Sequence, residues 1–132
     1  MSRVLVDSSV WIEFFRHPDA PVSQALDVLL AHRLVCTTGV IKAEIVPGAR
    51  SAKGFRRLRR LFDALPLAPE REGLWSHVIR FRRRLHLKGV SDIGIPDLIV
   101  ATVAIQNRKL VFTNDEDFAR MAPHIPVRLF LP

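Results

Sequence analysis

The sequence predicts an α/β fold in which a parallel sheet is covered by helices on both faces. Several short segments are continuously apolar, which is typical of strands buried on both sides. Helical patterns alternate with these segments along the chain, and that order favours parallel strands connected by helices. No repeat, low-complexity segment or long linker interrupts the 132 residues, so we expect one domain over residues 1–132.

The first half of the chain is predicted to contain two strands and three helices. Apolar runs indicate the strands, and apolar residues at helical spacing indicate the helices. The expected elements are a strand over 4–6, helices over 8–15 and 22–31, a strand over 34–37 and a helix over 39–46.

The second half of the chain begins with two arginine-rich helices, each with one apolar stripe. Phe55 to Leu65 forms the first, and Leu74 to Leu85 forms the second. Pro96 suits the first turn of a later helix because its missing N–H is not needed there. The elements expected after these two helices are a loop over 89–95, a helix over 96–107, a strand over 110–112, a helix over 114–121 and a strand over 126–130.

The charge and composition narrow the functional class. Lys plus Arg number 20 and Asp plus Glu number 13, so the formal charge is +7, which favours a polyanionic partner or substrate. The single cysteine, Cys36, lies in an apolar run, where we expect a small buried side chain. No run approaches the ~20 apolar residues that span a bilayer, and the N-terminal run is too short for a signal peptide. We therefore expect a soluble, cytoplasmic protein without a membrane partner.

Two acids follow predicted strands. Asp7 comes directly after the first strand, and Asp115 comes shortly after the strand over 110–112. Ligands of parallel sheets bind beyond the carboxyl ends of the strands, so these acids would meet if the strands are neighbours. Each acid also has a simpler interpretation. Asp7 could only end its strand and help to cap the next helix, for which Ser8 or Ser9 is also a candidate cap.

The segment around Asp115 has a strong local explanation as well. Thr113 and Glu116 match a capping box, in which the two side chains satisfy the first N–H groups of a helix. Taken alone, this segment is better explained as a capped helix than as a metal site.

The other two acids lie within helical segments that carry many apolar residues. Glu44 has Val40 and Ile41 at helical spacing, so we expect it on or beside the buried face; a salt bridge to an arginine is the alternative. Asp97 enters a segment that is apolar nearly all round. The helix dipole favours an acid in a first turn, but it does not explain an acid in a buried element.

Asp7, Glu44, Asp97 and Asp115 together indicate a cation site in a basic protein. Oxygen ligands suit Mg²⁺, with Mn²⁺ as the plausible substitute, and they do not suit zinc. The sequence has no zinc-ligand spacing, glycine-rich phosphate loop or GxSxG motif.

At these acids the sequence resembles the PIN-domain ribonucleases and, within them, the VapC toxins of toxin–antitoxin pairs. The four matching motifs appear in family order and span nearly the whole chain. They are Val4 to Ile12, Val40 to Ile45 followed by Gly48-Ala49-Arg50, Ile95 to Ala101, and Thr113 to Phe118.

The resemblance implies a three-layer α/β/α domain with four to five parallel strands, and it implies RNA cleavage by metal-activated water. It makes Asp7 and Asp97 the principal metal ligands, completed by Glu44 and Asp115. The supporting residues implied are Ser8 and Thr113, with Asp117 able to share or replace the role of Asp115 and Asp92 as a weaker candidate. It also implies a homodimer and a VapB-like antitoxin that occupies a groove and blocks the active centre.

The arginine-rich helices are candidates for RNA binding, with a merely solvated face as the alternative. The candidate residues are Arg56, Arg57, Arg59, Arg60, Arg80, Arg83 and Arg84, with Arg82 in the same run. The sequence contains no tyrosine, which argues against an extended base-stacking surface. Two other hypotheses stay open: a non-catalytic RNA-binding protein and a different Mg²⁺-dependent phosphohydrolase.

Overall fold

Short strands and helices alternate along residues 2–132, the part of the chain that this computed structural model describes. The elements are β1 Val4–Val6, α1 Ser8–Arg16, α2 Pro21–Ala31, β2 Val35–Cys36, α3 Gly39–Ile45, a 3₁₀ turn Val46–Gly48, α4 Ala52–Ala64, α5 Leu74–Leu87, α6 Ile95–Asn107, β3 Val111–Phe112 and α7 Glu116–Met121. The predicted helices are confirmed within about two residues at most ends. None of the helices described is long and apolar enough to cross a membrane.

A parallel sheet in the order β2-β1-β3 forms the centre of the fold. Leu5 in the middle strand pairs with Cys36 on one side and with Val111 on the other. All residues of the strands are buried, which explains why their sequences are continuously apolar rather than alternating. The predicted α/β class with a parallel sheet is therefore confirmed.

The prediction of four to five strands is wrong, because the described chain forms three. Single parallel bridges lie at each edge of the sheet, Thr37 to Leu67 and Val111 to Leu129. The predicted last strand contributes only the second of these bridges. Pro126 at its start has no N–H to donate, so pairing there is limited to two backbone hydrogen bonds with Val111, at 2.9 and 2.8 Å.

The core lies between the sheet and the helices that pack around it. Trp11 of α1 is fully buried against Phe62 of α4, with ring centroids 4.8 Å apart. Helix α6 is buried nearly all round, as predicted, and packs against α3, α5 and α7. Cys36 is also buried, and burial raises the pKa of its thiol, so the expected inert side chain is confirmed.

This arrangement places three helix starts at one edge of the sheet. Helix α1 begins directly after β1, α3 follows β2 and α7 follows β3, and α6 packs against both α3 and α7. The carboxyl ends of β1 and β3 are adjacent, so the acids that follow them are neighbours, as the sequence predicts.

Candidate active site

Asp7 is a buried carboxylate held in place by three donors at the carboxyl end of β1. It is 3% exposed, and its Oδ2 accepts hydrogen bonds from the Ser9 hydroxyl at 2.8 Å, the Thr113 hydroxyl at 3.0 Å and the Ser9 backbone N–H at 3.4 Å. Its Oδ1 has no hydrogen-bond partner among residues 2–132. One oxygen is therefore fixed, and the other is available to a ligand.

Asp7 is also the N-cap of α1, so the expectation that Ser8 or Ser9 caps this helix is wrong. The backbone of Asp7 is extended, with φ −70° and ψ 156°, and the first helical residue follows at once. Because Asp7 already occupies the cap position, Ser8 and Ser9 fall inside the first turn, and their hydroxyls are available to other partners.

Ser9 and Thr113 form a hydroxyl bridge between the β1–α1 and β3–α7 corners. Besides donating to Asp7, the Ser9 oxygen accepts from the Asn114 N–H at 2.9 Å, and the Thr113 oxygen accepts from the Asp115 N–H at 2.9 Å. The predicted supporting position of Thr113 fits this geometry. The role of Ser9 was missed, although an Asp side chain commonly accepts from the backbone N–H two residues on, which here belongs to Ser9.

The predicted capping box over Thr113 and Glu116 is not formed. Helix α7 begins at Glu116, and its N-cap is Asp115, whose Oδ1 accepts from the Asp117 N–H at 2.9 Å. Thr113 lies two residues before the N-cap position of this helix and instead contacts Asp7. Asp115 therefore has a capping role, and its second carboxylate oxygen can face the neighbouring acids.

Asp97 lies in the first turn of α6, where it meets two other carboxylates. Carboxylate oxygens of Asp97, Asp115 and Asp117 all lie within 4.8 Å of one another. Neither oxygen of Asp97 accepts a hydrogen bond from residues 2–132, in contrast to Asp7. Burial first, and then the charges of the surrounding acids Asp7, Asp115, Asp117 and Glu44, raise the pKa of Asp97 to about 7.

Asp117 belongs to this group of close carboxylates. The sequence named it as a supporting residue that could share or replace the role of Asp115. Its Oδ1 accepts from Arg120 at 3.0 Å. Arg120 also pairs with Asp92 and lowers the pKa of that exposed carboxyl through the hydrogen bonds that it donates. Asp92 thus faces an arginine rather than the close group.

Glu44 is exposed, so of the two expected positions, on or beside the buried face of its helix, it takes the second. The buried residues of α3 are Ile41 and Ile45, and Glu44 projects beside them towards the start of α1. Ser8 donates to Glu44 Oε1 at 2.8 Å. The salt bridge considered as an alternative is not formed with any described residue. Ser8 therefore orients Glu44 and not Asp7.

The donor set fits a hard divalent cation. The close acids supply only oxygen ligands, and no histidine or cysteine joins them among the described residues. Arg120 is the single cation of residues 2–132 that forms an ion pair with an acid of this group, which leaves most of the negative charge uncompensated. A bound Mg²⁺ or Mn²⁺ would compensate it and would lower the raised pKa of Asp97.

The arginines on α4 and α5 are mostly solvent-exposed. Arg59 pairs with Asp63 at 3.0 Å, and Arg84 lies over the Phe81 ring at 5.8 Å. Arg82 is half-buried and donates to the Ile93 carbonyl at 2.6 Å, so it supports the loop before α6. The remaining candidates are exposed: Arg56, Arg57, Arg60, Arg80 and Arg83.

A groove of about 740 Å³ runs from Glu44 across the faces of α1 and α4. Apolar side chains form most of its wall, including Ile12 and Phe15, which are 40% and 43% exposed. No sequence pattern located this groove. The signal for it in the sequence was Ile12 and Phe15, two large apolar residues of α1 that do not belong to its buried face. The arginines that line the groove are Arg16, Arg50 and Arg57.

The model of the PIN domain family matches residues 4–123. Ribonuclease VapC21 from Mycobacterium tuberculosis is 31% identical over 125 residues, which cover 92% of this chain and 87% of that protein.

Solved structures of low sequence identity share the fold. FitAcB from Neisseria gonorrhoeae has a TM-score of 0.73 at 24% identity and covers 98% of this chain and 97% of its own. VapBC-1 from nontypeable Haemophilus influenzae has a TM-score of 0.76 at 16% identity, covering 96% of both chains. VapBC-5 from M. tuberculosis, described as a member of a family of toxin–antitoxin systems, has a TM-score of 0.68 at 24% identity and covers 100% of both chains.

Proposed function

Because this chain belongs to the PIN domain family and to its VapC ribonuclease branch, we propose that it is a Mg²⁺-dependent endoribonuclease acting as the toxin of a toxin–antitoxin pair. The observation that carries the proposal is the group of carboxylates at the carboxyl edge of the sheet. Three of them approach within 4.8 Å, and Asp97 among them has no protein partner for either oxygen. A phosphodiesterase site of this kind needs a cation to become stable and active.

In the proposed site, Asp7 and Asp97 are the principal metal ligands. Asp7 would present its free Oδ1, because Ser9 and Thr113 hold the other oxygen. Asp97 would bind from the first turn of α6. Asp115 would complete the site with the oxygen that does not cap α7, and Asp117 stands close enough to share this role. When bound, Mg²⁺ would lower the pKa of a coordinated water and stabilise charge on the attacked phosphate.

Glu44 is the proposed acceptor for the proton of the attacking water. It is exposed, so water and RNA can reach it, and Ser8 fixes one of its oxygens at 2.8 Å. Its charge also contributes to the raised pKa of Asp97, which indicates that it stands near the other acids. An acceptor at this place would act on the nucleophile without displacing a metal ligand.

We propose that the exposed arginines on α4 and α5 bind the RNA backbone. Arg56, Arg57 and Arg60 lie on α4 without a carboxylate partner in the described chain, whereas Arg59 is engaged by Asp63. Phosphate contacts of this kind make binding depend steeply on salt. Replacing one of these arginines should lower the slope of affinity against salt concentration, whereas replacing Arg59 should change it less.

We also propose that a VapB-like antitoxin occupies the groove beside Glu44. The groove offers an apolar floor bordered by arginines, so it suits an amphipathic segment with apolar and acidic side chains. Because the groove reaches Glu44, an occupant would obstruct RNA access to the acids. Phe15→Glu should weaken antitoxin binding and leave cleavage by the free toxin intact.

A homodimer is proposed from the exposed apolar stripe of α5. Trp75, Ile79 and Leu87 are 59%, 68% and 70% exposed. Trp75 and Ile79 are one helical turn apart, and Leu87 lies about two turns after Ile79. A stripe of this size on a single helix is typical of an association surface. Sedimentation of the wild type and of Trp75→Glu would test this, with dissociation expected only for the variant.

The central test of the proposed function is RNA cleavage by Asp97→Asn. We expect cleavage to be lost while the circular dichroism spectrum is retained, and we expect EDTA to abolish wild-type cleavage. Asp27→Asn, an exposed change on α2, is the matched control and should cleave normally. RNA binding without cleavage by the wild type, unaffected by EDTA, would instead favour the non-catalytic RNA-binding alternative.

A further inference from the structure

We propose that Arg120 is a positioning residue for the metal site, which holds Asp117 against the loop leading to Asp97. This inference rests on the proposed function, because it concerns the metal that the acids would bind. Arg120 is on α7, one turn after Asp117, and its side chain is 40% exposed. It contacts acids from two separate segments of the chain.

The contacts of Arg120 form a bridge with defined geometry. One terminal nitrogen, Nη1, donates to Asp117 Oδ1 at 3.0 Å and to Asp92 Oδ2 at 3.2 Å, while Nη2 donates to the other oxygen of Asp92. The planar guanidinium thus binds Asp92 through both oxygens and reaches Asp117 at the same time. An arginine suits this role better than a lysine, which presents one compact charge.

The loop that Arg120 contacts has few other restraints. No backbone–backbone hydrogen bond involves residues 91–93 in the described chain. Ile93 is buried, and its carbonyl accepts from Arg82 at 2.6 Å, so side chains of α5 and α7 hold the loop from two sides. Helix α6 begins two residues later and carries Asp97 in its first turn. A change at Arg120 can therefore alter the spacing of Asp97 and Asp117.

Loss of Arg120 would have two opposite effects on a bound cation. Its positive charge repels the cation, so removing it would tighten metal binding if charge alone mattered. Its bridging contacts keep Asp117 near Asp97, so removing them would weaken metal binding if position matters. Asp92 already neutralises the guanidinium, which reduces the repulsion and leaves the positional effect dominant.

The test is Mn²⁺ binding to the full chain without RNA, measured by isothermal titration calorimetry at one pH. We expect Arg120→Ala to weaken binding about 3- to 10-fold, at or below the range typical for loss of an outer-shell partner. Asp92→Ala should shift it in the same direction, and the double variant should be no weaker than Arg120→Ala because both remove one bridge. Arg120→Lys should restore only part of the affinity.

The controls separate a positioning role from a structural one. Arg128→Ala removes an exposed arginine without a side-chain hydrogen bond in the described chain, and it should bind Mn²⁺ as the wild type does. The Mn²⁺ concentration that gives half-maximal cleavage by Arg120→Ala should rise by about the same factor as its dissociation constant for Mn²⁺. Unchanged or tighter Mn²⁺ binding by folded Arg120→Ala would overturn the positioning role, including the case in which only its melting temperature falls. A wild type that binds no Mn²⁺ would overturn the proposed function itself, and the bridge with it.

Discussion

Asp7 and Asp97 are the two acids proposed as principal metal ligands, yet they differ in burial and in hydrogen bonding. Asp7 is 3% exposed and receives three hydrogen bonds on one oxygen. Asp97 is half-buried, accepts no hydrogen bond from the described residues, and has its pKa raised to about 7 by burial and by neighbouring acids. One carboxylate is satisfied by the fold, whereas the other is left for a ligand that the fold does not supply.

This difference shows which half of the proposed metal site is built by the fold alone. The Asp7 half is built by the chain itself, because a cap, two hydroxyls and two adjacent strands hold it. The Asp97 half is a set of mutually repelling carboxylates that a cation would draw together. A buried polar group with partners stabilises a fold, and one without partners costs free energy. The two acids should therefore respond differently to substitution, even where both are needed for cleavage.

The largest expected effect is one that the two acids share. Asp7→Asn and Asp97→Asn should each lower kcat for RNA cleavage by more than the about 10- to 100-fold typical of losing an outer-shell partner. The reason is that each change removes a charged oxygen from the proposed metal. Cleavage of a fluorescent RNA at saturating Mg²⁺ measures this effect. An active Asp7→Asn would contradict the proposed role of Asp7 as a metal ligand and would leave it a structural cap only.

The next effect separates the two acids by stability. Asp7→Ala removes the N-cap of α1 and leaves the hydroxyls of Ser9 and Thr113 without their acceptor. We therefore expect the free energy of unfolding to fall by about 2–3 kcal/mol. Asp97→Ala removes a carboxylate without partners and should cost far less. Urea denaturation of both variants in EDTA measures the difference. Equal losses for the two would show that the hydrogen bonds to Asp7 contribute little to stability.

Much of this contrast lay beyond what the sequence predicts. Buried apolar runs located the sheet, and acids at strand ends located the site, because these patterns depend on local residue types. The hydroxyl bridge joins residues more than 100 positions apart, and no local pattern encodes such a contact. The exposure of Glu44 was not predicted, because helical spacing gives the face of a residue only approximately on a helix as short as α3.

The sequence also could not predict which of several candidate residues caps a helix. Asp7, Ser8 and Ser9 are all good N-caps, and the helix start depends on where β1 ends in the sheet. The same ambiguity applies at α7, where Asp115 is the cap instead of Thr113. Edge strands were overestimated, since an apolar segment that follows a proline makes only a single bridge.

A smaller effect follows from the raised pKa of Asp97. Its folded-state value is about 7, above the usual 3.8, so the folded apo protein holds a proton that the unfolded chain releases. The contribution of Asp97 to stability without metal should therefore be fully present below about pH 4 and should be lost as the pH rises through about 7. Each unit of difference in pKa between the folded and unfolded states corresponds to about 1.4 kcal/mol. Solvent screening at this half-exposed site reduces the contribution of Asp97 to the free energy of unfolding to about 1–2 kcal/mol.

Thermal melts of Asp97→Asn against wild type in EDTA test this dependence. The variant should be more stable by a few degrees at pH 8, since an uncharged amide replaces the repelled carboxylate, and the gain should vanish at pH 4. Mg²⁺ should stabilise the wild type at pH 8 and should stabilise the variant less. A wild type whose stability does not change between pH 4 and 8 in EDTA would show that Asp97 is not strained by its neighbours.

The smallest expected effect compares adjacent serines that serve the two parts of the site. The Ser9 hydroxyl donates to buried Asp7 and accepts from Asn114, so Ser9→Ala should cost about 1 kcal/mol and lower cleavage by loosening the β3–α7 corner. The Ser8 hydroxyl contacts only exposed Glu44, where water can replace it, so Ser8→Ala should leave stability within about 0.5 kcal/mol. Ser8→Ala should lower kcat with little change in Mg²⁺ affinity, because Ser8 orients the proposed proton acceptor Glu44 and not a metal ligand. Denaturation and Mg²⁺ titration of the pair distinguish these outcomes, and equal effects from the two serines would mean that the fixed half of the site extends from Asp7 to Glu44.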